Sequence, residues 1–174
     1  MTYGFQKVEG SQEKMTRTSA TDWCRFDLPL LAVGSTPSWI LSVRPAQRTL
    51  GSCLILNQNR VTEFSQVSER DVLELRIVIR AFEQLAKACF NPARFNYVIS
   101  GQHDPLLHLH AFPRYSQEVP FGRKTWVDDR WPMFLTFPEL ESEPADVLSA
   151  IVTVLRQGNR AHGLLAEWED DTHS

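Results

Sequence analysis

Between Pro105 and Pro113 the chain runs Leu106, Leu107, His108, Leu109, His110, Ala111, Phe112, and this stretch restricts the fold more than any other. Successive side chains of a strand point to opposite faces, so Leu106, His108, His110 and Phe112 share one face. Leu107, Leu109 and Ala111 make up the other, which is wholly apolar and belongs on a core. Two imidazoles then stand side by side on the remaining face, about 7 Å apart between Cα atoms. The prolines bracket the strand, because proline cannot donate to a central ladder and sits best at strand ends. Arg114 leaves the strand beside the mouth of the same pocket.

The surrounding chain supplies the other elements. Residues 30–33, 38–44 and 52–57 are short runs rich in Leu, Ile, Val and Trp, separated by turn-forming stretches at 34–37 and 45–51; they predict an antiparallel meander. Residues 68–90 predict a helix. Ser68 with Asp71 resembles a capping box, and Val72, Leu75, Ile79, Phe82, Ala86 and Cys89 recur at spacings of three and four. Asn91 and Pro92 stop it, and residues 95–100 return as the strand before the histidine loop. Between Tyr115 and Pro138 periodicity is lost. Phe121, Trp126, Trp131, Pro132 and Phe134 give an aromatic loop that either tethers itself to the core or stacks a base. A second helix begins at Pro144, buries Val147, Leu148, Ile151 and Leu155, and ends before Gly158. The acidic run around Trp168 reads as a solvated tail. These elements define an α+β domain over residues 21–174, preceded by a polar tail or arm over residues 1–20.

Composition narrows the function. With 174 residues, 43% hydrophobic and 22% charged, the chain is long enough for a real core. A net charge of −3 argues against a general nucleic-acid binder. Cys24, Cys53 and Cys89 are odd in number and lack metal-binding spacing, which points to reduced thiols in a cytoplasm. Residues 1 to about 20 hold no apolar run that could be a signal peptide or a membrane span.

Asn96, Tyr97, Gly101, Gln102 and the run from Pro105 to Tyr115 together resemble the signature strand pair of the histidine triad (HIT) superfamily, especially its small prokaryotic hydrolase-like members. The resemblance implies a HIT-like antiparallel sheet with two helices, assembled as a homodimer, that acts on a small nucleotide with no cofactor. Three histidines alternate with apolar residues in that family; here Leu106 stands at the first position, and His108 and His110 at the second and third. His108 is then the nucleophile. Its Nδ1 is expected to donate to the main-chain carbonyl of Leu106, and its Nε2 to face a phosphate pocket shared with His110 and Gln102. Asn96 and Gln102 would place the phosphate, Arg114 would be a further substrate contact, and Arg44 lies in the loop that corresponds to the ribose contact. Ser52 and Arg60 stand where further histidines are usual. The expected activity is cleavage of a phosphoanhydride or phosphoramidate of a nucleoside monophosphate through a nucleotidyl-His108 intermediate. Two alternatives stay open: nucleotide binding without turnover, and a metal site built from His103, Asp104, His108 and His110.

Overall fold

Five strands form one antiparallel sheet in the order β1-β2-β3-β5-β4: β1 Ala32–Ser35, β2 Trp39–Val43, β3 Cys53–Asn57, β4 Arg94–Ile99 and β5 His108–Arg114. The computed structural model describes residues 27–59, 61–99, 104–136 and 141–169. Two long helices, α2 Glu69–Phe90 and α3 Ala145–His162, accompany the sheet, and a one-turn helix, α1 Leu28–Leu31, precedes β1. A separate hairpin joins β6 Val119–Phe121 to β7 Lys124–Trp126. The α+β class and the antiparallel sheet are as the sequence predicts.

The sheet separates two apolar layers because its strands alternate. Val33, Trp39, Leu41, Val43, Ile55, Leu109 and Ala111 join the main core, with Leu75, Val78, Phe82 and Leu85 of α2 and Ile151, Val152 and Leu155 of α3. On the other face a smaller cluster forms from Leu28, Ala32, Ile40, Leu54 and Leu56. Register sets two rows across that face: Ile40 opposite Leu56 opposite His108, and Ser42 opposite Leu54 opposite His110.

Several elements depart from expectation. The histidine strand starts at His108 rather than Leu106, because the Asp104 carboxylate takes the amide of Leu106 at 2.9 Å and turns the chain before pairing begins. Pro113 lies inside the strand. It pairs with Phe95 on the β4 side, while the β3 ladder has already ended at Cys53 opposite Ala111, so no donor is missed there. On α2, Val72 is exposed, and Asp71 and Glu74 are buried instead. Their carboxylates accept from Ser38: Glu74 takes its amide at 2.8 Å and Asp71 its hydroxyl, which pins the helix N-terminus to the β1–β2 turn.

Helix α3 runs through Gly158 and stops at Gly163, whose φ of 57° supplies the left-handed C-cap. Gly158 is interior because α2 crosses close by, where an added Cβ would meet Leu85 at 3.0 Å. The β6–β7 hairpin occupies part of the region expected as an irregular loop; its three-residue strands are too short to show a period. Phe121 packs edge-to-face on Phe90 at 5.3 Å, and Trp126 is buried, so these aromatics tether the segment. Residues 30 and 31 belong to α1, and the first strand begins only at Ala32. The segment after α3 is not a solvated tail as far as Glu169: Ala166 bridges to Ser35 on β1, and Trp168 packs on the smaller cluster. No helix among the described residues is long and apolar enough to cross a membrane.

Candidate functional site

His108 and His110 stand on the sheet face opposite α2, with ring centroids 4.9 Å apart and planes at 73°. His108 is buried, 6% exposed. Its Nδ1 lies 2.8 Å from the carbonyl oxygen of Leu106, the bond that the sequence anticipates. A carbonyl can only accept, so Nδ1 carries the proton, and the lone pair of the neutral ring resides on Nε2. The same carbonyl fixes the ring plane. This is the tautomer that a histidine nucleophile requires.

His110 differs. It stacks on Phe112 at 6.0 Å, with planes within 10°. Among the described residues its buried Nδ1 has no hydrogen-bond partner. Burial, then the neighbouring His108 and the charge of Arg44, push its pKa down to about 4. At neutral pH the site therefore presents His110 as an uncharged imidazole, able to donate one hydrogen bond but carrying no formal charge.

Arg44 closes β2. Its side chain is half-buried, burial lowers its pKa, and Nη1 donates to the carbonyl of Ala46. It lies two residues beyond Ser42, so the alternation of β2 puts it on the histidine side of the sheet. Ser52 is fully buried and bonded within its own loop, to Thr49 and Gln47.

Arg114 and Asn96 form a different cluster. Arg114 lies four residues beyond His110, about 13 Å along a strand. Its guanidinium is bound at both ends by Asp128, at 2.6 Å from Nε and 3.2 Å from Nη2. Nη2 also donates to the carbonyl of Met133 at 2.8 Å, Nη1 donates to the Asn96 side chain, and Trp131 lies beneath at 5.9 Å. The structure thus brings His108, His110 and Arg44 to one region and holds Arg114 and Asn96 in another. Gln102, His103 and Arg60 lie outside the described residues.

Two side chains on the histidine face were not singled out by the sequence. Ser42 is fully buried, and its Oγ has no hydrogen-bond partner among the described residues. Its place in the β2 alternation was a signal that could have found it. Trp168 had none, since its position depends on where α3 ends. Among the described residues no group of three His, Cys, Asp or Glu side chains is arranged to hold a metal ion. Asp104, invoked for such a site, accepts the Leu106 amide.

A five-stranded antiparallel sheet with two neighbouring imidazoles on its β5 strand, flanked by one long helix between β3 and β4, is the fold of histidine triad proteins. Among solved structures, the chain aligns with a hypothetical histidine triad nucleotide-binding protein from Sulfolobus tokodaii strain7 at TM-score 0.62 and 14% identity, over 86% of this chain and 100% of that one. A histidine triad protein from Marinobacter aquaeolei VT8 aligns at TM-score 0.62 and 14% identity, over 79% and 93%. One from Bradyrhizobium japonicum aligns at TM-score 0.56 and 16% identity, over 77% and 93%. By sequence, no protein-family model and no curated protein matches the chain.

Proposed function

We propose that this protein is a nucleotide hydrolase or transferase of histidine triad type, with His108 as the nucleophile. The observation that carries the reading is the 2.8 Å bond between Nδ1 of His108 and the Leu106 carbonyl, which leaves the lone pair on Nε2 in a ring already oriented. In the first step Nε2 forms a bond to the phosphorus of a nucleoside monophosphoryl group. The bond from phosphorus to the leaving group breaks, and the leaving group departs with that electron pair. Water, or another acceptor, then attacks the nucleotidyl-His108 and returns the pair to Nε2. His110 donates a hydrogen bond to the phosphoryl group, and Arg44, with Gln102 as a further candidate contact, meets its charge. Positioned donors of this kind are usually the largest catalytic term. The same reading implies a homodimer. β4 is an edge strand with Ile99 53% exposed, and Leu73 and Ile77 on α2 are 66% and 48% exposed, apolar residues open to a second copy.

One observation favours a second reading, nucleotide binding without turnover. The Leu106 side chain packs on the apolar cluster of Leu28, Ala32, Ile40, Leu54 and Leu56, so the position offers no proton to a leaving group. Rapid-mixing kinetics with a dinucleoside polyphosphate separate the two. A burst of product, absent from His108→Ala, supports the enzyme; saturable binding with no product from the wild type supports the binding protein.

A further inference from the structure

The two rows on the histidine face have a length and a chemistry. From His108 the row passes Leu56 to Ile40, and from His110 it passes Leu54 to Ser42. Ile40 and Ser42 therefore lie two strands from the imidazoles, about 10 Å at the usual strand spacing. That is comparable to the reach from a 5′-phosphate to its base. Between the two ends the floor is apolar, apart from the Ser42 hydroxyl, a buried polar atom with no partner among the described residues. An orphaned hydroxyl in an apolar floor costs stability unless something bonds to it.

At the far end the chain returns. After α3 the Asn159 side chain holds Leu165 from both sides, accepting its amide at 2.9 Å and donating to its carbonyl at 3.1 Å. Ala166 then pairs with Ser35 through bonds of 2.9 and 3.1 Å. Gly34 permits this approach, since an added Cβ would lie 2.9 Å from the Ala166 oxygen. The strap so fixed sets Trp168, half-buried, on the cluster that contains Ile40, Leu54 and Leu56. Its ring also borders a cavity of about 320 Å³ beside Pro29, Ala32 and Arg156. The indole thus lies between the smaller apolar cluster and open space, outside the main core.

We infer that Trp168, carried on the strap after α3, is the specificity-determining wall of the base end: it stacks on the nucleobase of a nucleotide whose phosphate lies at His108. This rests on the nucleotide reading above. With Trp168 contributing at the base end, the site takes an intact nucleoside 5′-phosphate in preference to a bare sugar phosphate.

Calorimetric titration of the full chain with AMP and with ribose 5-phosphate tests the inference. The wild type should bind AMP more tightly. Trp168→Leu, which keeps an apolar side chain on the cluster, should weaken AMP by about tenfold or more, the scale of a lost base–aromatic stack, and leave ribose 5-phosphate unchanged. Trp168→Phe should restore most of the AMP affinity. Equal weakening of both ligands would make Trp168 a structural residue only, and unchanged AMP binding would remove it from the site; either overturns the inference while the nucleotide reading survives. A wild type that binds neither ligand overturns both.

Discussion

Leu106 presents its carbonyl, not its side chain, to the ring of His108, and this separates orientation from acid catalysis. The nucleophile keeps its tautomer, while the leaving group loses a neighbour that could protonate it. His110 does not compensate at neutral pH, since burial holds it uncharged. A phosphoanhydride leaving group departs as a stable anion; the amine of a phosphoramidate needs a proton. Leu106→His should therefore raise turnover of a phosphoramidate more than that of a phosphoanhydride, within the roughly 10² to 10⁴ that one acid or base contributes; steady-state rates on the two substrates check it. His110 also makes stability depend on pH. Its folded pKa of about 4 lies below the unfolded value of 6.5, so the unfolded chain binds more protons between them. Stability should fall as pH drops from about 6.5 to 4 and level off, for this group, below that. Denaturant titrations across the range, with His110→Asn as control, should show the difference, and the ring signal in NMR should titrate near pH 4.

Local signals made most elements legible. The hydroxyl of Ser68 accepts the Asp71 amide at 3.2 Å, and Asn91 ends α2 at φ 52°, so both ends of that helix are written in its own residues. The alternation of residues 107–111 placed the imidazoles correctly because a period of two leaves no other assignment of faces. What the sequence concealed depends on distant contacts. Gly158 looks like a helix end until α2 is seen to cross it, and Arg114 looks like a substrate contact until Asp128, 14 residues on, takes its guanidinium. The strap is of the same kind, since nothing near Trp168 says that Ser35 will bind its neighbour. Gly34→Ala tests that element: the added methyl meets Ala166, Asn159 and Leu165, each at 2.9 Å, and should push the strap from β1. The expected cost is about 1 to 3 kcal/mol, seen as a lower melting temperature, together with faster amide exchange at Ala166.

For the molecule as a whole, the sheet divides the work. One face builds the core with α2 and α3, and the other carries the imidazoles, the apolar floor and the strap. The edge strand β4 leaves the assembly open on one side, and the proposed homodimer would extend the sheet there. Light scattering at micromolar concentration should give twice the 19.9 kDa chain mass, and Ile99→Lys should shift it toward the monomer; a monomeric wild type would rule out the dimer and leave the His108 chemistry standing. The central claim is covalent catalysis at that residue. Intact-mass spectrometry after rapid acid-free quenching of the protein with a dinucleoside polyphosphate tests it most directly. The account predicts an acid-labile mass increase of one nucleoside monophosphate, located on the peptide containing His108 and missing from His108→Ala. Product formation by wild type and His108→Ala at the same rate, with no adduct on either, would contradict it.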